Sequence, residues 1–304
     1  MTGDWASPPG PGLIRNRHDG TWFREIVHGG WAVQALYGPP FTLGLRWLLA
    51  HVPAVSRAYG RLQERPASRL AIAPFIRRFG LDTTEFLEAP ESFPHFNAFF
   101  ARRLRSEARP LDPDPDRLLS PGDGKILVFP SIGTHLEMPV KGAAARLETL
   151  LGSPDLAAAY RGGSGLVLRL APYDYHRFHF PASGQAGPTK TLAGPLHSVH
   201  PLALARVPGI LEANLRTLTF LDTLAFGRLA LIEVGALCVG SIVQTHEPGP
   251  ITRGQEKGHF AFGGSTTLLL AEPGRVRFDE DLVAASLRGV EVQVRMGSAI
   301  ATRG

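Results

Sequence analysis

A proline-rich segment about a third of the way along the chain constrains its fold more than any other feature. Residues 109–116 contain three prolines within six positions. Proline fixes its own φ angle, lacks an amide donor and restricts the residue before it, so neither a helix nor a central strand can run through this segment. The segment therefore predicts a boundary between two regions of different secondary structure.

The region before this boundary has the periodicity of helices. Apolar residues recur every three or four positions, and Gly80 stands where a left-handed helix cap is expected. Ser92 is a suitable N-cap for the last helix before the prolines. Helices are expected over 41–52, 55–64, 68–79 and 92–104.

The region after the boundary consists of short apolar runs, rich in β-branched residues and leucine and separated by glycine and proline. This spacing is typical of antiparallel sheets rather than alternating βαβ units. Strands are expected over 125–129, 165–170, 217–221, 228–234, 237–244, 266–270 and 291–295. The prediction is an α+β fold with an N-terminal extension, 1–40, that can be flexible, a helical region, 41–105, and a β-rich domain, 106–304.

Composition excludes several classes of protein. The apolar fraction of 44% supports a packed core, and the single cysteine, Cys238, excludes a disulfide scaffold. The net charge of +5 suits an anionic partner such as a phospholipid surface, but no basic block is interleaved with aromatics as in nucleic-acid binding. No signal peptide or spanning apolar run is present. The helix expected over 41–52 is amphipathic and packs either on the protein's own core or on a membrane surface.

Three short motifs each have an ordinary explanation when taken alone. The motifs around Asp123 (120–125) and Ser265 (263–266) are typical of turns that lead into strands. His176 and His179 lie within an aromatic segment bracketed by prolines, where a short helical turn is expected. Two histidines three apart can ligate zinc only if such a turn makes them converge, because on a strand they face opposite sides.

Together, the motifs at 119–126, 172–181 and 262–266 resemble, in order and spacing, those of the phosphatidylserine decarboxylase family. The Gly-Gly-Ser-Thr form at 263–266 is similar to one branch of that family. Four further segments resemble the family's sequences, and the resemblance extends from about residue 55 to 272. These segments are 94–104, 108–114, 194–201 and 233–242.

This resemblance implies a pyruvoyl prosthetic group made from the chain itself. Ser265 Oγ would attack the carbonyl of Gly264, and the chain would separate into a β chain, 1–264, and an α chain, 265–304. A serine hydroxyl needs a base, for which His179 oriented by Asp123 is the candidate. His176 is the candidate for handling the substrate carboxylate and for proton transfer. The resemblance implies neither a metal nor pyridoxal phosphate.

The implied reaction converts phosphatidylserine to phosphatidylethanolamine and CO2 in phospholipid biosynthesis. The implied partners are an anionic membrane surface on the cytoplasmic side, where the protein would be peripheral, and a second copy in a homodimer. No nucleic-acid partner is expected. Five arginines of the helical region would help membrane docking: Arg46, Arg57, Arg61, Arg77 and Arg78.

Three other functions remain open on the sequence alone. A relative of the family can decarboxylate a soluble amino acid such as tryptophan. A zinc hydrolase would use His176, His179 and Asp123 as ligands. A non-catalytic homologue would bind lipid without cleaving itself.

Overall fold

The computed structural model describes residues 12–26, 30–38, 40–52, 60–133, 135–137, 144–236, 242–262 and 265–304. The α-helices are α1 Gly30–Tyr37, α2 Leu43–His51, α3 Ile72–Phe79, α4 Phe96–Phe100, α5 Leu147–Leu151, α6 Pro154–Tyr160, α7 Pro201–Leu204, α8 Ile210–Ala213 and α9 Glu280–Leu287. Short 3₁₀ helices span Pro40–Thr42, Pro66–Ala71, Thr83–Glu85, Pro90–Ser92 and Ser106–Ala108.

The described part of the chain also contains nineteen strands. They are β1 Leu13–Asn16, β2 Trp22–Arg24, β3 Arg117–Leu119, β4 Gly124–Phe129, β5 His135–Glu137, β6 Ala144–Arg146, β7 Ser164–Leu170, β8 Arg177–His179, β9 Gly184–Ala186, β10 Lys190–Leu192, β11 Arg216–Thr223, β12 Gly227–Val234, β13 Ile242–Gln244, β14 Gly249–Ile251, β15 Glu256–Phe260, β16 Ser265–Ala271, β17 Val276–Phe278, β18 Val292–Val294 and β19 Ala299–Arg303.

Among the described residues, eleven strands form one main sheet. Ten follow the order β14-β9-β11-β12-β16-β7-β4-β18-β1-β2, and β10 pairs with β11. Of the pairings between described strands, only that of β1 with β18 is parallel. The central strands β16 and β7 are buried along their whole length, as expected for strands that are covered on both faces. The prediction of an α+β fold with an antiparallel sheet is confirmed.

Smaller sheets lie beside the main one. One has the strand order β13-β15-β8 and contains His179, a second has the order β17-β19-β3, and β5 pairs with β6. A register shift between Glu256 and Gly258 on β15 marks a bulge or irregularity opposite β8. The two histidines of the motif therefore lie in different parts of the fold. His176 lies in the loop after β7, and His179 lies on the short strand β8.

The helical region has its own core, here called the phenylalanine cluster. Its buried members are Ile72, Phe75, Phe86, Phe93, Phe96, Phe99 and Phe100. Tyr173 and Phe262, from the β-rich part of the chain, pack against this cluster. The helical region is therefore joined to the β-rich domain through aromatic contacts.

The helix boundaries show where the sequence prediction was right and where it was wrong. Gly80 adopts the left-handed conformation with φ of 60° and donates its N–H to the Ile76 carbonyl, as predicted. Ser92 is not the N-cap of α4, because it lies in a 3₁₀ turn followed by Phe93-Pro94. The residue before a proline is pushed out of the helical region, so α4 starts at Phe96. The helix expected over 55–64 lies largely outside the described residues.

The N-terminal extension contributes to the main sheet where it is described. Strands β1 and β2 form its edge, and the Arg17 guanidinium forms ion pairs with Asp279 and Asp281, both at 2.7 Å. This part of residues 1–40 is thus held by the β-rich domain. None of the described helices is both long enough and apolar enough to cross a membrane.

Candidate active site

Ser265 is the first residue of β16, in the interior of the main sheet. It stands directly opposite Leu170 at the end of β7. The residue is fully buried, and its Oγ atom has no hydrogen-bond partner. Buried hydroxyls usually have a partner, so an unsatisfied one requires an explanation such as a catalytic role. Gly264, the predicted other side of the cleaved bond, lies outside the described residues.

His176 lies in the loop between β7 and β8 and is completely buried. Its Nδ1 atom is 2.9 Å from the backbone carbonyl oxygen of Asp174. A carbonyl can only accept, so Nδ1 carries the hydrogen and Nε2 holds the lone pair. Burial, together with the positive charge of Arg102, lowers the pKa of His176 to about 3, so the ring is neutral at physiological pH. Nε2 is buried without a partner, like Ser265 Oγ.

His179, on β8, has a partner at each ring nitrogen. Nδ1 donates to the carbonyl of Gly254 at 2.9 Å, and Nε2 lies 3.2 Å from the Tyr175 hydroxyl. Burial raises the pKa of Tyr175, so its hydroxyl stays protonated and donates to Nε2. Burial also lowers the pKa of His179. The ring is therefore a neutral base, and its Nε2 lone pair accepts a hydrogen bond from the Tyr175 hydroxyl.

Asp123 lies in the turn between β3 and β4, and its carboxylate is held by an arginine. Arg109 donates from Nε at 3.0 Å and from Nη2 at 2.6 Å, and the backbone N–H of Met296 donates at 2.8 Å. The Arg109 guanidinium also reaches Glu85 at 3.1 Å. The two carboxylates raise the pKa of Arg109 despite its burial. Asp123 is thus fixed by a fork of charge-assisted hydrogen bonds.

The turn that contains Asp123 is attached directly to the strand that contains His179. The N–H of His179 donates to the carbonyl of Pro121 at 2.7 Å. A Cβ atom at Gly124, the next residue after Asp123, would lie 2.6 Å from the carbonyl oxygen of Arg169. Only glycine allows this close approach of β4 to β7. The sequence motif around Asp123 therefore has a packing role in addition to any chemical one.

The fold also brings His176 to the segment that leads into Ser265. Phe260 donates its N–H to the carbonyl of His176 at 2.9 Å. The ring of Phe262 lies 5.0 Å from that of Phe100, which in turn lies 3.8 Å from the imidazole of His176. Only Gly263 and Gly264 separate Phe262 from Ser265 in the chain.

The predicted triad is only partly assembled in this structure. Asp123 and His179 belong to adjacent segments, but the orienting hydrogen bond to His179 Nδ1 comes from Gly254 and not from Asp123. The reason is that Arg109 and Met296 already occupy the Asp123 carboxylate. Neither histidine is hydrogen-bonded to Ser265 Oγ.

The histidine pair does not form the predicted helical turn. The chain makes a turn at 172–174 and then becomes extended, so the two rings reach different backbone carbonyls, those of Asp174 and Gly254. Within the described ranges, no three His, Cys, Asp or Glu side chains are grouped to hold a metal ion. The arrangement that a zinc hydrolase needs is therefore not found there.

Sequence reasoning missed three residues that position the site. They are Arg109 on Asp123, Tyr175 on His179, and Arg102, whose guanidinium lies near His176. Both arginines lie in segments whose sequences resemble the family, 94–104 and 108–114. No periodicity or local spacing indicates which buried group each one contacts.

Comparison with known proteins shows similarity over most of the chain. The family model for phosphatidylserine decarboxylase matches residues 96–302. The chain is similar to the phosphatidylserine decarboxylase proenzyme of Chlamydia muridarum, with 41% identity over 96% of this chain and 97% of the relative. It is also similar to proteins of that name from Chlamydia caviae, with 44% identity over 91% and 93%, and Ruminiclostridium cellulolyticum, with 40% over 94% and 96%.

Proposed function

The chain belongs to the phosphatidylserine decarboxylase family, and we propose that it is a proenzyme that cleaves itself and then converts phosphatidylserine to phosphatidylethanolamine and CO2. This reaction is a step of phospholipid biosynthesis. The observation that carries the proposal is the buried, unpartnered hydroxyl of Ser265, directly after the glycine pair of the family motif. It supports a role for this serine as a reacting group.

The cleavage step is assigned to Ser265 and Gly264. Ser265 Oγ attacks the carbonyl carbon of Gly264, the C–N bond between the two residues breaks, and the proton passes from the hydroxyl through a base to the freed amine. The resulting ester then undergoes β-elimination, which leaves a carboxylate on Gly264. Addition of one water and loss of ammonia convert the dehydrated residue to a pyruvoyl group at the start of the α chain, 265–304.

We assign the base to His179, whose neutral Nε2 can accept the proton. Its Nδ1–H is held by Gly254, and the Asp123 charge raises the pKa of the ring, although by less than burial lowers it. For Nε2 to reach the hydroxyl of Ser265, the Tyr175 hydroxyl must give up its own hydrogen bond to that atom. Release of the Tyr175 hydrogen bond is therefore required before the cleavage step.

The environment of Ser265 fits the pyruvoyl group that it is proposed to become. The site is buried, and Phe262, which packs against the phenylalanine cluster, precedes Ser265 by three positions in the chain. Bound there, the pyruvoyl group supplies a carbonyl that withdraws electrons from the bond between the substrate Cα and its carboxylate. No metal is required for this chemistry.

We assign to His176 the handling of the substrate carboxylate and the transfer of a proton to the carbon that loses CO2. Its Nε2 is buried and unpartnered, and its other nitrogen is held by the Asp174 carbonyl. An anionic headgroup beside Nε2 would raise the pKa of the ring from its low value, because opposite charge favours the protonated form. The ring can then receive and deliver a proton near neutral pH.

We propose that the protein attaches peripherally to the cytoplasmic side of a membrane, and the surface of α2 supports the attachment itself. Its apolar side chains point outward, with 59% of Trp47 and 53% of Leu45 exposed, and Phe41 just before it is 86% exposed. Exposed apolar groups next to Arg46 suit the interface of an anionic bilayer. Among the other proposed docking arginines, Arg77 and Arg78 lie in the last turn of α3, and Arg57 lies outside the described residues.

Mass spectrometry of the denatured protein tests the cleavage. We expect two species, residues 1–264 and a shorter one that starts with a pyruvoyl group in place of Ser265. A single 32.8 kDa chain in protein that decarboxylates would contradict the mechanism.

Trapping of CO2 from carboxyl-labelled substrates then tests the reaction. We expect release from phosphatidylserine vesicles. Release from free tryptophan or another free amino acid, and not from the vesicles, would favour the soluble-substrate alternative.

A further inference from the structure

Arg102 is a buried arginine that no carboxylate neutralises among the described residues. It follows α4 by two positions, is 4% exposed, and its guanidinium carbon lies 5.0 Å from the ring of Phe86 and 5.2 Å from that of Phe99. Its Nη2 donates to the backbone carbonyls of Tyr173 at 3.0 Å and Asp174 at 3.3 Å. Its Nε and Nη1 atoms have no partner.

The nearby acidic groups already have other cations. Asp123 is bound by Arg109 at 2.6 Å, and Asp174 is bound by Lys125 at 2.7 Å. Burial lowers the pKa of Arg102 to about 10, which still leaves the guanidinium charged at neutral pH. A desolvated charge without its own counterion acts strongly on its neighbours.

The Asp174 carbonyl joins Arg102 to His176. The oxygen accepts from Arg102 Nη2 at 3.3 Å and from His176 Nδ1 at 2.9 Å. The contact is reciprocated, because Arg177, the residue after His176, donates to the carbonyls of Ala101 at 2.7 Å and Arg102 at 3.3 Å. Each arginine thus binds the backbone of the segment that carries the other. We call this pair of contacts the arginine clasp.

We propose that Arg102 is a positioning residue for His176, so that the helical region completes the decarboxylation site through the arginine clasp. The proposal rests on the role assigned to His176 above. Through the shared carbonyl, Arg102 fixes the loop that selects the Nδ1–H tautomer of His176. Through its charge, it adds to the effect of burial and further disfavours protonation of Nε2 until an anionic substrate arrives.

Other charges that act on the His176 ring come from the elements packed around it. Lys125 on β4 also lowers the pKa of His176, and Asp174 in the ring's own loop is paired with that lysine. Phe100 and Phe262 contribute only aromatic surfaces on this side. Arg102 is therefore the charge whose removal should change the ring most.

The first test measures the pKa of His176 by NMR in the uncleaved Ser265→Ala chain with labelled histidine. The signal is identified by its loss in a His176→Gln chain. We expect Arg102→Gln to raise the pKa of His176 by about 1–3 units, the range for a neighbouring charge, and Arg102→Lys to keep it low. Unchanged titration in Arg102→Gln would overturn the electrostatic part of the proposal, whether or not the protein is a decarboxylase.

The second test follows the cleaved enzyme on phosphatidylserine vesicles. We expect Arg102→Gln to cleave itself but to lose about 10- to 100-fold in kcat, as for a displaced catalytic group, with the acidic limb of the pH profile moved to higher pH. Arg102→Lys should restore the position of that limb.

Arg103→Gln is the matched control, because Arg103 is the adjacent residue and its side chain is 57% exposed in an ion pair with Glu88. It should behave as wild type. The proposal is overturned if Arg102→Gln releases CO2 with the same kcat and the same pH profile as wild type and Arg103→Gln. Arg102 then has no positioning role. If wild type itself releases none, the proposed function fails, and the NMR titration still decides the link between Arg102 and His176.

Discussion

Replacement of Arg109 by glutamine should destabilise the uncleaved chain strongly, because it removes the cation from a buried carboxylate. The Arg109–Asp123 pair has an N···O distance of 2.6 Å, and the two side chains are 9% and 6% exposed. Removing one partner of such a pair leaves an uncompensated buried charge and costs about 3–5 kcal/mol. Asp123 would keep only the Met296 N–H. The second partner of Arg109, Glu85, is 25% exposed and adds little.

The chain offers a control with the same chemistry and a different burial. Arg103 and Glu88 also pair at 2.6 Å, but their side chains are 57% and 31% exposed. Pairs of this kind contribute about 0–1 kcal/mol, because water screens them. The two ion pairs have the same N···O distance but differ in burial. The difference in unfolding free energy between Arg109→Gln and Arg103→Gln therefore reports the effect of burial.

The measurement is urea unfolding of the Ser265→Ala chain at pH 7, so that every variant is compared as one uncleaved polypeptide. Arg109→Lys should recover part of the loss, because lysine restores the charge but not the two-pronged geometry. A loss of less than about 1 kcal/mol in Arg109→Gln, equal to that of Arg103→Gln, would refute the reasoning. It would mean that the Asp123 carboxylate does not depend on Arg109 for compensation in the folded chain.

Three other outcomes follow from the geometry of the site. Ser265→Ala and His179→Ala should remain single chains on denaturing gels, whereas His176→Ala should still cleave. Tyr175→Phe, which uncovers the His179 lone pair, should cleave at least as fast as wild type in a pulse-chase experiment, and slower cleavage would show that the phenol assists the step. Because burial lowers the pKa of His176 from 6.5 to about 3, its contribution to stability is present above pH 6.5 and is lost as the pH falls toward 3. The uncleaved chain should therefore lose stability with acid by up to about 1.4 kcal/mol per pH unit more than a His176→Phe chain.

The long central strands of the main sheet could be predicted from the sequence because their signal is local, whereas short strands such as β8 and β10 were not predicted. Runs such as Arg228–Val234 and Gly165–Leu170 are apolar, short and bounded by glycine, and the observed strands match them within one or two residues. The helical region was harder, because prolines and phenylalanines dominate it. There the chain folds into short 3₁₀ turns around the phenylalanine cluster, and tertiary packing rather than periodicity sets their ends.

The serine that we propose to react could be identified in the sequence, whereas its surroundings could not. Ser265 belongs to a short contiguous motif, and such a motif can be recognised directly in the sequence. The contacts of Arg102 and Arg109 depend on how loops and strands meet, and Arg102 reaches residues about seventy positions away. Nothing in the local pattern distinguishes either arginine from Arg103, which is exposed.

The spacing of the two histidines acquires a physical meaning from the fold. In an extended chain, residues three apart face opposite sides, so one short segment can present His176 to the phenylalanine cluster and His179 to the turn that carries Asp123. A helical turn would have placed the rings together, where they could share a metal but not serve two steps. The separation allows one histidine to act in cleavage and the other in decarboxylation. The two activities should therefore be separable by single substitutions, and the arginine clasp should affect only the second.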